Sequence, residues 1–342
     1  MVKRRDYDED DVRVRPTRSS RPRTRTRPRH LEAVPGLVTA VHLGRYTCVT
    51  DTATLTAMRA RELGRRSVVV GDRVALVGDV SGGPDALARI VRVAERRSVL
   101  RRTADDDEST PEGRVERVVV ANADQLVIVS SLVDPPPRTG FIDRCLVAAY
   151  DAGIDPLLCL TKADLVDPGG AEGPLAGLRD YYAELALPYV TCRPDQPLDE
   201  LRRVLRGRMS VLVGHSGVGK STLVNRLVPE AERAVGEVSA VGKGRHTSAS
   251  VVALPLPRPP RSREHPGWII DTPGIRSFGL AHVSSDSLLH GFPDLVESSV
   301  DCPPGCDHTG DGCALDAWVA GGHADPRRLA SYRRLLASRG GS

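Results

Sequence analysis

Aromatic side chains are scarce: Phe, Trp and Tyr make up 4% of the 342 residues. Stacking of bases on aromatic platforms is therefore excluded as the main route to any nucleic acid. Long apolar runs are missing. None approaches the roughly 18 residues of a membrane span, so no membrane role is expected. No apolar signal core follows the charged N-terminus, so export is not expected and the chain reads as cytoplasmic. Cysteine is sparse, with seven in all. Cys48, Cys145, Cys159 and Cys192 stand apart in apolar segments, which suits small buried residues and not a disulfide framework. Strong net charge is lacking as well, at only +4, but its distribution is uneven. Between Val12 and Arg29 acidic residues vanish and eight arginines fall.

Hydrophobic residues at 40% and charged residues at 27% are ordinary for globular domains, and the length leaves room for two or three of them. Residues 1–33, where an acidic stretch around Asp6 to Asp11 precedes the arginine run, lack apolar periodicity. They are expected to be a disordered tail, either solvated or reaching RNA phosphates. Residues 34–100 carry short β-type segments at 37–41, 46–50, 67–70, 72–77 and 88–93. Turn signals such as Ser81-Gly82-Gly83-Pro84 separate them, which predicts a small OB-type β-barrel. An acidic linker, Asp105-Asp106-Asp107-Glu108, closes this region. Over 115–285 the period changes. Apolar strands at 125–132, 156–160 and 188–192 alternate with helical patterns at 138–151, 178–185 and 198–205, which predicts an α/β domain with a mainly parallel sheet.

The chemistry centres on Gly214-His215-Ser216-Gly217-Val218-Gly219-Lys220-Ser221, a complete G-x-x-x-x-G-K-S phosphate loop. Met209, Val211, Leu212 and Val213 run into it, and Leu223, Val224 and Leu227 follow at helical spacing. Glycines let backbone N–H groups wrap a polyphosphate. Lys220 then reaches the β- and γ-phosphates, and the Ser221 hydroxyl binds Mg²⁺ beside Thr222 in the first helical turn. Downstream, Trp268-Ile269-Ile270-Asp271-Thr272-Pro273-Gly274 is a strand ending in D-x-x-G. It offers an acid near Mg²⁺ and a Gly274 N–H to sense a γ-phosphate. Between the two, Gly242-Lys243-Gly244-Arg245-His246-Thr247-Ser248 reads as a switch loop whose Thr247 closes on Mg²⁺. Upstream, Thr161-Lys162-Ala163-Asp164 resembles the guanine-reading N-K-x-D, with Asp164 accepting from guanine N1–H and N2–H₂. An adenine edge pairs poorly with that carboxylate, which argues against an ATPase.

In most GTPases the base-reading motif comes last; here it comes first, so the order is that of a circularly permuted GTPase. With the barrel and a C-terminal Cys/His cluster, the chain resembles the RsgA (YjeQ) family over about residues 36–336. Asn122-Ala123-Asp124-Gln125 and Asp143-Arg144 belong to the resemblance. It departs at Thr161, where Asn is usual, at His215, where Gln is frequent, and at Thr191-Cys192 in place of Ser-Ala. The resemblance implies GTP hydrolysis to GDP and phosphate in late maturation of the 30S subunit, through contacts with 16S rRNA. The protein is expected to act as a monomer. A GTP-gated RNA-binding switch with a non-ribosomal partner is the alternative that sequence leaves open.

Cys302-x₃-Cys306-x-His308-x₄-Cys313 supplies three thiolates and one imidazole within 286–342. That set suits tetrahedral Zn²⁺ with no open position, a structural site. Behind it, 326–338 reads as a helix with Arg327, Arg328, Arg333 and Arg334 on a solvated or RNA-facing surface. Ile275 stands just after the D-x-x-G, where many GTPases place the Gln that orients water. His246 is the expected substitute, with Arg245 neutralising γ-phosphate charge.

Overall fold

Burial on both faces is what the apolar run at Gln125–Ser131 demands, and all seven of its residues are buried. In the computed structural model, residues 30–63, 67–83, 85–102, 117–166, 173–229, 251–258, 265–272, 278, 280, 283–310 and 312–340 are described. The chain falls into two units, Met1–Leu31 and Glu32–Ser342, and the architecture is that of the second. The expected Arg-rich tail, the acidic linker and the switch residues at 242–248 lie outside the described residues.

The strands are β1 (Val34–His42), β2 (Arg45–Val49), β3 (Thr54–Arg59), β4 (Arg73–Gly78), β5 (Leu87–Val93), β6 (Val99–Arg102), β7 (Arg117–Ala121), β8 (Gln125–Ser131), β9 (Asp155–Thr161), β10 (Tyr189–Thr191), β11 (Met209–Val213), β12 (Val252–Pro255) and β13 (Trp268–Asp271). The helices are α1 (Thr139–Asp151), α2 (Pro174–Tyr181), α3 (Asp199–Leu205), α4 (Lys220–Leu227), α5 (Ser285–His290), α6 (Pro293–Val296), α7 (Ala314–Ala320) and α8 (Pro326–Gly340). None of the described helices is long and apolar enough to cross a membrane.

The first five strands close into the expected OB-type barrel in the order β1-β2-β3-β5-β4, with β4 returning to β1. One expected strand is displaced. Residues 67–70 form no strand beyond a bridge from Val70 to Val120; the missing barrel strand is β3. The cause is a side chain. Asp72 captures the Val69 N–H through Oδ2 at 2.8 Å, and Arg96 holds that carboxylate through Nε and Nη2 at 2.7 and 2.8 Å. A backbone donor spent on a local carboxylate is lost to a strand ladder.

β8, β9, β10, β11 and β13 are parallel, in the order β10-β9-β8-β11-β13. β12 adds an antiparallel edge and pairs Val252 with Ala40 of β1, so sheet and barrel are continuous. Alternate residues serve opposite faces. Leu126 and Ile128 join the core under α1 and the C-terminal helices. Val127 and Val129 join the core under α3 and α4. Gly71 locks the barrel to the sheet. Its φ is +89°, and an added Cβ would sit 1.9 Å from the Ala121 carbonyl oxygen. Asn122 Nδ2 donates to the Gly71 carbonyl at 2.9 Å, and Asp124 Oδ2 accepts from Met209 N–H at 2.8 Å. Because the central strands are parallel, the ends of β8, β9, β11 and β13 that carry the sequence motifs share one edge.

Candidate nucleotide site and metal centre

At that edge β11 delivers the phosphate loop, and α4 begins at Lys220. Gly217 and Gly219 have φ of +83° and +86°, conformations an L-residue adopts only with strain. Gly214 is held by crowding: an added Cβ would stand 2.7 Å from the Val129 carbonyl oxygen of β8. Ser216, Ser221 and Thr222 are exposed, leaving their hydroxyls open to a ligand. Lys220 Nζ forms an ion pair with Asp271 at the end of β13. Thr272 Oγ1 donates to the Leu212 carbonyl at 2.7 Å, which pins that strand end to β11. An ammonium, a carboxylate and hydroxyls meet at one loop, the donor set for a phosphate and a hard, oxygen-liganded cation.

Thr161-Lys162-Ala163-Asp164, expected from the sequence to read the base, lies beside it. Thr161 is buried, and its hydroxyl donates to the carbonyl of Val218 in the phosphate loop at 2.5 Å. Thr161 was expected among the nucleotide contacts, and its hydroxyl is spent instead on the loop that would carry the phosphates. Lys162, at φ +55°, donates its Nζ to the Asp134 carbonyl. Asp164 is exposed. His215 turns toward α1, its ring 4.1 Å from that of Phe141. Burial, and then the nearby Arg138, hold its pKa below the ordinary imidazole value. Gly274, Ile275, Arg245, His246 and Thr247 lie outside the described residues.

The four C-terminal candidate ligands Cys302, Cys306, His308 and Cys313 converge, with their donor atoms all within 4.8 Å of one another. Cys302 Sγ lies 3.5 Å from His308 Nδ1 and 3.8 Å from Cys313 Sγ, and Cys313 Sγ is 3.6 Å from His308 Nδ1. A tetrahedral Zn²⁺ with bonds of about 2.3 Å to sulfur and about 2.0 Å to nitrogen requires edges of roughly 3.8 and 3.5 Å. The donors fit, and His308 presents Nδ1. Its backbone is left-handed at φ +60°, held by Arg333, whose Nε donates to the His308 carbonyl at 2.9 Å. Arg333 in turn forks onto Asp316 at 2.8 Å through both terminal nitrogens. The remaining four cysteines are buried and free, as expected.

The helix α8 departs from expectation. Arg327 pairs with Asp325 on the surface, and Arg334 is exposed. Arg328 is not a surface residue: its side chain is 2% exposed and grips Asp294 at 2.9 Å. Its place at helical spacing with the buried Ser331, Tyr332 and Leu335 was the available signal.

A family model described as RsgA GTPase matches residues 93–281, more than half the chain. The chain belongs to the RsgA GTPase family. Over 318 residues it is 36% identical to the small ribosomal subunit biogenesis GTPase RsgA of Chlorobaculum parvum, covering 90% of this chain and 98% of that protein. The RsgA of Pseudomonas aeruginosa is 41% identical over 278 residues, 80% of this chain and 76% of that one. Among solved structures, YjeQ from Thermotoga maritima superposes with a TM-score of 0.67 at 23% identity, covering 90% of this chain and 99% of that one. YloQ, described as a circularly permuted GTPase, gives 0.64 at 22% identity, with 91% and 96% covered. At such identities the shared property is the fold. The RsgA fold here is a circularly permuted GTPase sheet continuous with an OB-type barrel, and the chain is a GTPase, a hydrolase.

Proposed function

We propose that the chain hydrolyses GTP to GDP and phosphate in a Mg²⁺-dependent reaction during late maturation of the 30S subunit, binding it through 16S rRNA. One observation carries the nucleotide reading: the Thr161 hydroxyl is bonded to the Val218 carbonyl. That bond joins the base-reading loop to the phosphate loop, so base and phosphate recognition form one unit. In this reading Lys162 and Asp164 hold the guanine, and the backbone from Gly214 through His215, Ser216, Gly217, Val218 and Gly219 wraps the phosphates. Lys220 leaves Asp271 to meet the β- and γ-phosphates, with Ser221 and Thr222 beside it. Ser221 and Thr247 would hold Mg²⁺, aided by the Asp271 carboxylate, and the bound ion would neutralise charge developing on the phosphoryl oxygens. The Gly274 N–H senses the γ-phosphate, and His246 orients the water that Ile275 cannot.

The proposed organisation is an Arg-rich tail at 1–33, an OB domain at 34–100, the GTPase domain at 115–285 and a zinc-bearing module at 286–342. The protein would work as a cytoplasmic monomer. Cys302, Cys306, His308 and Cys313 hold one structural Zn²⁺, so the metal fixes the fold of that module and takes no part in hydrolysis. GTP turnover with and without purified 30S subunits tests the reading. Slow hydrolysis alone and strong acceleration by the subunit are expected. Absence of stimulation overturns the ribosomal part, and an unchanged stimulated single-turnover rate in His246→Ala removes His246.

A further inference from the structure

Helix α1 touches three regions that a nucleotide-dependent motion must connect. At its first turn Phe141 packs on His215 of the phosphate loop, ring centroids 4.1 Å apart. One turn later Arg144 Nη1 donates at 3.2 Å to the carbonyl of Phe278, which follows the D-x-x-G segment and is itself fully buried. Between them Asp143, 1% exposed, points at the C-terminal module.

The Asp143 carboxylate is saturated with donors. Ser331 Oγ of α8 and Tyr181 OH donate to Oδ2 at 2.5 and 3.2 Å. Tyr182 OH and Arg328 Nη1 donate to Oδ1 at 3.0 and 3.4 Å. The Arg328 guanidinium also forks onto Asp294 of α6, with Nε and Nη2 each 2.9 Å from an oxygen. It lies 4.6 Å from the ring centroid of Phe292. The side chains of Asp143, Asp294 and Arg328 are 0%, 3% and 2% exposed. Three buried ionisable groups thus satisfy one another across α1, α6 and α8. Removing Arg328 leaves Asp294 buried without its counter-charge, which is strongly unfavourable. Such a set tolerates one arrangement and resists gradual sliding. Along α8 the path continues to Arg333, which grips the carbonyl of the metal ligand His308 at 2.9 Å.

We infer that Asp143 and Arg328 are positioning residues that latch α8 to α1, so that movement at His215 and Phe278 reaches the metal-binding module as a rigid displacement. This rests on the reading of the Gly214 to Ser221 loop as the guanine-nucleotide site. The latch explains how the module can respond to nucleotide without touching it: the first two turns of α1 carry the contacts to His215, to Phe278 and to α8, and the buried charges forbid it to slip. Coupling of this kind is reciprocal, so whatever holds the module in one position also changes nucleotide affinity.

Hydrogen exchange on the zinc-loaded full chain tests the latch, comparing GDP with a non-hydrolysable GTP analogue in wild type, Asp143→Asn, Arg328→Met and Ser331→Ala. Nucleotide affinity, zinc content and thermal melting are measured alongside. In wild type, protection across 314–337 should differ between the two nucleotides by about fivefold or more, the lower end of ordinary coupling. In Asp143→Asn and Arg328→Met that difference should fall below about twofold, with both nucleotides still bound and zinc retained, a loss of coupling and not of sites. Ser331→Ala deletes one donor to Asp143 and should give an intermediate difference, which keeps the test intact if the charged-site variants fail to fold. A wild type that binds both nucleotides with identical protection overturns the latch and leaves the GTPase reading standing. Variants that keep the full difference overturn it too. A wild type that binds neither nucleotide overturns the underlying site reading, and the titration reports that separately.

Discussion

Replacing Thr161 by Val changes one atom's chemistry and almost no volume. The hydroxyl has a single proton, and two carbonyl oxygens lie near it: Val218 at 2.5 Å and Ser130 at 3.4 Å. The shorter contact takes the proton, so the bond ties the end of β9 to the phosphate loop. Val218 is 4% exposed, and a buried carbonyl left without a donor costs about 1–3 kcal/mol. In the ligand-free protein the loop can relax and let water reach that carbonyl. With GTP bound the loop must return to its cradle, and the cost falls on binding. At about 1.4 kcal/mol per tenfold, GTP affinity should drop about 5- to 150-fold in Thr161→Val, with only a small change in melting temperature. Preference for guanine over other bases should persist, since Asp164 is untouched. Thr161→Ser keeps the hydroxyl and should bind within a few-fold of wild type. Titration with a fluorescent GTP analogue decides the matter. Equal affinity in Thr161→Val and wild type would refute the tether, as would an equal loss in Thr161→Ser.

Asp164→Asn should weaken GTP relative to xanthosine triphosphate, because xanthine presents an acceptor where guanine presents N2–H₂; competition binding that shows unaltered GTP preference removes Asp164 from base reading. The protein purified without chelator should carry about one zinc per chain, and Arg333→Ala should lower zinc affinity about 10- to 100-fold by freeing the His308 carbonyl, measured by chelator competition. Burial outweighs the donors Ser331, Arg328, Tyr182 and Tyr181 and raises the Asp143 pKa above the ordinary carboxylate value. A raised folded-state pKa contributes stability that is complete below the unfolded value and lost as pH rises through the folded one. Asn does not ionise, so melting across the range from about pH 4 to about pH 7 should show Asp143→Asn gaining on wild type as pH rises; a pH-independent difference contradicts dominant burial.

The order of the motifs was legible in the sequence, because each rests on a property that neighbours in the chain decide. Gly217 and Gly219 supply positive φ, Lys220 and Ser221 open a helix, and Cys302, Cys306, His308 and Cys313 are close enough in sequence for a loop to gather them. The parallel sheet was legible for a similar reason: residues buried on both faces, as in Gln125–Ser131, give continuous apolar runs. What tertiary structure alone decided depends on partners far along the chain. The run at 67–70 has the composition of a strand, and it fails to be one because Asp72 takes its Val69 amide under the hold of Arg96, 24 residues away. Thr161 stands in a stretch that resembles a base-reading motif, yet its hydroxyl answers to Val218, 57 residues on. Arg328 looks like any arginine on a basic helix until Asp143, 185 residues earlier, and Asp294 enclose it. A charge enters the core only where the fold has already placed its counter-charge, and no local pattern announces that.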